Sequence, residues 1–233
     1  MYHPFSVTET IRTAWSILKK NLAVLVVYSL VALVIIVISL FVIYAFLVGN
    51  IEELIGVIIL LIIISFIFLG FIKLIFQLID KEYYDFDFSD IVPKIKMLYS
   101  YLLLLIIVST ISVFISTTIK TMDEGLTQSI LGIIIWIFFQ FFFLFYFPIC
   151  TCFIVDDESG PFESVAQSFN LIKGNFIKYF LLFILIEIMV FIGSVTVIGM
   201  IFVIPFVNII LVVAYRKLIY SHLDVDDEIT ETL

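Results

Sequence analysis

Residues 22–48 contain no charged side chain, nor do residues 97–119 or 129–155, and residues 54–78 contain only Lys73. A helix needs about 20 consecutive apolar residues to cross the roughly 30 Å hydrocarbon core of a bilayer, so each stretch is long enough to span one. Inside lipid the backbone must satisfy its own hydrogen bonds, which leaves only helices and closed barrels. Barrel strands alternate apolar and polar residues over about ten positions, and these unbroken runs exclude them. The last apolar region, 176–218, is too long for one ordinary span. Its middle reads Gly193-Ser-Val-Thr-Val-Ile-Gly199, where a tight turn splits it into two crossing halves. The expected fold is therefore all-α: a polytopic membrane helical bundle of six transmembrane helices.

Composition agrees. The chain of 233 residues is 64% hydrophobic and 14% charged, against roughly half and a quarter in soluble domains. A soluble domain of this size could not hide that much apolar surface. The net charge of −8 argues against nucleic acid, which requires clustered Lys and Arg. The first apolar run exceeds a signal-peptide core and lacks a small-residue cleavage site, so it is expected to stay as an anchor. Cys150 and Cys152 stand two apart on one helix and cannot staple distant segments.

Charge placement orients the bundle. With six spans, Arg12, Lys19, Lys20, Lys73, Lys81, Lys94, Lys96, Lys173, Lys178, Arg216 and Lys217 fall on one side, leaving Lys120 on the other. Basic residues favour cytoplasmic flanks, so the expectation is a multi-pass protein of the cell (inner) membrane with both termini cytoplasmic. The connections on the opposite side, around Asn50, Asp123 and Val197, are too short for a receptor or enzyme domain.

Ahead of each pair of spans lies a segment with helical periodicity: Ile11, Trp15, Leu18 and Leu22; Ile91, Ile95, Leu98 and Leu102; Val165, Phe169, Ile172 and Phe176. Each set places one apolar stripe on a helix. Ser6-x-x-Glu9 reads as a capping box, Ser89-Asp90 can cap the second segment, and Ser159-Gly-Pro precedes the third. Asn21 and Asn175 close the first and third segments, with Tyr101 in that place in the second. The chain thus reads as three repeats of an interfacial helix plus two spans, at about 5–79, 86–155 and 160–220. They form a single integral membrane domain over 1–223, followed by an acidic, solvated cytoplasmic tail over 224–233.

Residues 155–175, beginning Val-Asp-Asp-Glu-Ser-Gly-Pro, together with Ala214-Tyr-Arg-Lys217 and Ala14-Trp-Ser-Ile-Leu-Lys-Lys-Asn21, resemble bacterial six-span families. These are the YciC-like proteins and the membrane domain attached to some glycerophosphodiester phosphodiesterases. The resemblance covers the layout of nearly the whole chain. It implies the fold and the membrane location but no catalytic residues, because the phosphodiesterase chemistry belongs to a separate soluble domain.

Few side chains within the spans could carry chemistry. Glu187 lies about halfway along the fifth span, where a carboxylate costs about 2.5–3.5 kcal/mol on insertion scales. Asn208 lies at similar depth beyond the Gly193–Gly199 turn, and Gln140 lies in the fourth span. Glu187, Asn208 and Gln140 form the candidate intramembrane polar site, either as a proton or cation relay or as interhelical hydrogen bonding. The Phe-rich run 136–147 reads as packing and lipid-facing surface, with a flat lipid or isoprenoid pocket as the alternative. Pro148 and Pro205 can kink spans four and six and free carbonyls.

His3 and His222 lie outside the spans, which defeats a zinc protease, and no nucleophile elbow or phosphate-cradling glycine loop occurs. No enzyme, cofactor or metal is expected. The expected function is a scaffold, assembly factor or membrane subunit of a complex. Its expected partners are membrane lipids and proteins in the membrane or the cytoplasm, with no nucleic acid. The alternative is a small transporter or export permease built around Glu187.

Overall fold

A computed structural model describes residues 5–46, 50–80, 88–121 and 125–231. His3, Lys81 and Asp123 lie outside the described residues, as do the side chains of Asn50, His222 and the acidic tail. The described backbone is helical: α1 (Val7–Phe46), α2 (Asn50–Asp80), a 3-10 turn (Phe88–Asp90), α3 (Ile95–Lys120), α4 (Leu126–Phe141), a π-turn (Phe142–Tyr146), α5 (Phe147–Asp156), α6 (Pro161–Lys173), α7 (Phe176–Gly193) and α8 (Val197–Glu231). Among the described residues six segments are long and apolar enough to cross a bilayer, with α4, the π-turn and α5 making one of them. The protein is a multi-pass membrane protein. The backbone of α8 continues through 224–231, the stretch the sequence sets apart as a tail.

The Gly193–Gly199 turn forms where the sequence places it. A Cβ on Gly193 would lie 2.7 Å from Val203 Cγ2, and one on Gly199 would lie 2.6 Å from the Gly193 carbonyl oxygen. Only glycine permits the close return of α8 onto α7.

Two of the three amphipathic segments exist as distinct helical pieces. Asn21 breaks α1 with φ −118° and ψ 18°, and Asn175 takes φ −128° and ψ 26° between α6 and α7. Both sit in the bridge region of backbone space. The Asn21 amide donates to the Ile17 carbonyl at 3.0 Å, and the Asn175 amide to Ser221 Oγ at 3.2 Å. The second segment differs from the expectation. Pro93 disfavours helix at Val92, Lys94 is extended, and α3 begins only at Ile95 and runs unbroken through Tyr101. A single 3-10 turn stands where an interfacial helix was expected.

The buried faces lie beside the apolar stripes. Up to its break at Asn21, α1 buries Thr10, Ala14, Leu18 and Asn21, while Trp15 and, just beyond, Leu22 are exposed. In α6 the buried residues are Ser164, Ser168, Leu171 and Ile172, while Phe169 is exposed. Small residues let helices approach closely, and lipid accepts the bulky apolar side chains turned outward. The two patterns coincide position by position: Thr10 with Ser164, Ala14 with Ser168, Leu18 with Ile172.

Pro148 sets the shape of the fourth span. It has no N–H to give to the Leu144 carbonyl, and its ring crowds the preceding turn. The helix widens there, with the Phe147 N–H bonding the Phe142 carbonyl. The buried Tyr179 hydroxyl donates to the neighbouring Phe145 carbonyl at 3.1 Å, tying α7 to this widened turn. α8 is the central stave, burying Ile209, Ile210, Val212, Val213, Ala214 and Tyr215 in close succession, whereas α1 buries none of its described side chains beyond Leu25.

Candidate functional site

Glu187, Asn208 and Gln140 are not brought into one site. Glu187 sits half-buried on α7. The Asn208 amide turns to its own helix and donates to the Ile204 carbonyl at 2.8 Å. Gln140 lines a groove between α3 and α4, apart from both. Among the described residues no hydrogen bond or ion pair links the three.

A dense polar constellation lies instead on the face that carries Glu9 and Lys217. Arg216 is the hub: Nη1 donates to Asp156 Oδ2 at 3.0 Å and Nη2 to Asp80 Oδ2 at 2.6 Å. The Tyr215 hydroxyl donates to the same Asp156 oxygen at 3.0 Å. The guanidinium lies 4.9 Å from the Phe76 ring centroid, a cation–π geometry. Tyr215 itself is fully buried and meets Phe76 and Phe153 edge-on. Arg suits this position because its planar fork reaches two carboxylates at once and keeps its charge. One side chain of α8 thus joins the ends of α2 and α5.

Further ties surround the hub. Lys217 Nζ lies 2.9 Å from Glu9 Oε1, an ion-pair distance off the line of a hydrogen bond. Lys73 Nζ donates to the Val92 carbonyl at 2.8 Å, and Lys94 pairs with Glu158. The hydrogen bond from Lys94 holds the Glu158 carboxyl below its ordinary range. Glu158 takes a left-handed φ of 53°, so the turn from α5 to α6 carries backbone strain that this pairing helps to hold. Ser159 Oγ donates to Gln167 Oε1 at 2.8 Å, and Glu163 reaches back to the Gly160 N–H, completing one half of a capping box.

The sequence showed Arg216 and Lys217 only as orienting charges. A usable signal was present: Asp80 and Asp156 stand at the ends of spans two and four, as Arg216 does near the end of span six. Their pairing joins residues far apart in the chain, which periodicity cannot reveal. Cys150 and Cys152 are free and buried. Among the described residues no three His, Cys, Asp or Glu side chains gather into a metal site. The constellation is therefore a set of occupied ion pairs, suited to holding helices in place.

An apolar groove of about 740 Å³ runs between α1 and α2, from Ala23, Leu74 and Ile91 on the side of the Arg216 hub to Ile35 and Ile62. On the opposite side α3 and α4 separate around a groove of about 640 Å³ that carries Ser112, Ser116, Lys120 and Gln140. Comparison of the chain with protein-family models, with curated proteins and with solved structures finds no match.

Proposed function

We propose that the protein is a non-enzymatic scaffold, assembly factor or membrane subunit of a complex in the cell's inner membrane, with both termini cytoplasmic. The observation that carries this reading is the hub at Arg216, which ties the ends of three spans to one another. A fixed face suits a protein that positions partners. Alternating access would require the two halves of a transporter to rock around a midplane site, and the Arg216 pairs stand against such opening. The matched burial of Thr10, Ala14 and Leu18 with Ser164, Ser168 and Ile172 supports a common origin for the first and third units. The family resemblance bears on the fold and the membrane location alone. The permease reading has less support, because no described residue hydrogen-bonds or pairs with Glu187 to continue a relay.

Capture of the tagged chain from its native membranes in mild detergent, followed by protein and small-molecule mass spectrometry, tests the proposal. A protein partner should be recovered in fixed stoichiometry, kept by Glu187→Gln and lost with Arg216→Met. Recovery of a small molecule alone, lost with Glu187→Gln, would favour the permease. A reporter active only outside the cytoplasm should stay silent when fused after Leu233, and a strong signal there would reverse the orientation.

A further inference from the structure

We propose that the groove between α3 and α4 holds the phosphate-bearing headgroup of a phospholipid from the leaflet opposite the chain ends. Lys120 would meet the phosphate and Ser116, about 6 Å below it along α3, would donate to an ester oxygen, with Ser112 and Gln140 deeper in the groove beside the acyl chains. The site goes beyond the scaffold reading and stands or falls without it.

Two independent features meet at this groove. The first is a set of polar side chains on walls that otherwise face lipid. Ser112, Ser116 and Lys120 line it from α3, and Ser129, Trp136 and Gln140 from α4. Elsewhere in the spans, hydroxyls such as those of Ser29, Ser39 and Thr151 donate to the carbonyl one turn back. Among the described residues Ser112, Ser116 and Gln140 make no such bond. Polar groups without partners are costly in hydrocarbon, and the groove gathers three of them along one channel.

The second feature is charge. Lys120 is the sole basic residue that the six-span layout assigns to this side, against the ordinary bias of basic residues towards the cytoplasm. It stands at the mouth of the groove, exposed, with no acidic partner among the described residues. Gln128 bridges the helices there, its amide donating to the Ile119 carbonyl at 3.2 Å. Ser112 lies two turns deeper, roughly 12 Å along the helix at about 1.5 Å per residue. A headgroup entering from the interface therefore meets an ammonium first and hydrogen-bond donors below it. The volume of about 640 Å³ falls in the roughly 300–1,000 Å³ range of small-molecule sites. A second copy fits less well, because a two-fold interface of groove on groove would bring two Lys120 ammonium groups together.

Trp136 is 63% exposed in the groove wall and supplies the readout. With Trp15→Phe removing the only other tryptophan, the full chain is placed in vesicles of digalactosyldiacylglycerol, a bilayer lipid without phosphate. Phosphatidylglycerol or phosphatidylcholine brominated in its chains is then titrated in. Both should quench Trp136 beyond their share of the lipid, by a preference of about threefold, the scale of one exposed ion pair. Lys120→Gln should abolish the preference and Lys120→Arg should retain it, with size-exclusion profiles unchanged because the residue is exposed. Quenching in proportion to lipid content overturns the proposal, as does a preference that survives Lys120→Gln. A preference for phosphatidylglycerol alone would reject phosphate as the determinant. Quenching by neither lipid would show the groove covered by protein and would also overturn it.

Discussion

The two halves of this bundle are built on different principles. Towards the face with Glu9 and Lys217, helices meet through fully buried side chains such as Leu74, Ile149, Tyr179 and Tyr215, and polar ties cross between them. Towards the other face, Val34, Phe41, Ile58, Val113, Phe114 and Trp136 are exposed and a groove opens between α3 and α4. Lipid is as apolar as these side chains, so burying them against one another gains little, and cohesion in membranes comes from close packing and hydrogen bonds. Where the chain supplies small residues and ionic partners the helices close. Where it supplies branched aliphatics they are left to the bilayer.

The comparison breaks most directly at Arg216. Arg216→Met leaves Asp80 and Asp156 without their shared counter-charge while Tyr215 still points at Asp156. Exposed ion pairs contribute about 0–1 kcal/mol, and breaking a buried one costs about 3–5 kcal/mol. With Arg216 side-chain exposure at 23% and Asp80 at 50%, the expected loss lies between, at about 2–3 kcal/mol. Reversible unfolding in detergent micelles measures it. A loss no larger than that of Lys120→Gln in the open half would mean the hub does not hold the bundle.

Two glycines sharpen the contrast inside the open half. Gly193 lies at a tight point, against Val203, whereas nothing comes within 4 Å of a Cβ built on Gly132. Gly193→Ala should destabilise the bundle by about 1–3 kcal/mol, the usual range for overpacking. Gly132→Ala should be neutral or stabilising by up to about 1 kcal/mol, since alanine is the better helix former. Equal effects from the two substitutions would show that the opposite face is packed throughout.

The same contrast explains which features could be read from sequence. Span number and the turn at Gly193–Gly199 follow from the length of apolar runs and from glycine's close approach, both local properties. The apolar stripes of α1 and α6 were legible as periodicity, but the residues that face the interior were not. In lipid the small polar face of Thr10, Ala14, Ser164 and Ser168 turns inward. Pro93 carried a readable signal against helix in the second unit, but the periodicity of Ile91, Ile95 and Leu98 ran across it. Gln140 was identified as polar and intramembrane, yet its groove depends on the separation of α3 from α4, which no single helix records. The hub at Arg216 escaped periodicity for the reason that makes it effective: it joins three spans distant in the chain, and only the shared end positions of Asp80, Asp156 and Arg216 hinted at it.

A smaller effect concerns pH at the tied face. Lys94 lowers the carboxyl pKa of Glu158 from its ordinary 4.5. A depressed carboxylate pKa adds stability that is fully present above the unfolded value and is lost as pH falls through the folded one. Parent and Lys94→Gln proteins should therefore differ slightly in melting temperature at pH 7 and converge as pH drops below 4.5 towards the lowered value. The pair is exposed and salt-screened, so raising ionic strength should shrink the difference too. A difference that persists in acid would assign the stabilisation to the Lys94 stem packing on its neighbours.

The smallest effect is expected at Glu187, the residue that drew most attention in the sequence. Gln preserves its shape and hydrogen-bonding groups but cannot ionise, so Glu187→Gln isolates charge from packing. No described residue hydrogen-bonds or pairs with Glu187, and its neighbour Ile186 makes the buried contact on that turn of α7. Glu187→Gln should then melt with the parent to within the roughly ±0.5 kcal/mol typical of substitutions away from special features. It should also recover the same partners from the membrane. The companion substitution Glu187→Leu separates two remaining roles. If the side chain only faces lipid, Leu should stabilise the span slightly, because it removes the cost of a polar group at that depth. If it bonds a partner protein's helix, Leu should lose about 1 kcal/mol of that association while Gln keeps it. A loss with Gln as well as Leu would mean that ionisation itself is used, and a mechanism of proton or cation movement would replace the division between a tied face and a lipid-filled one.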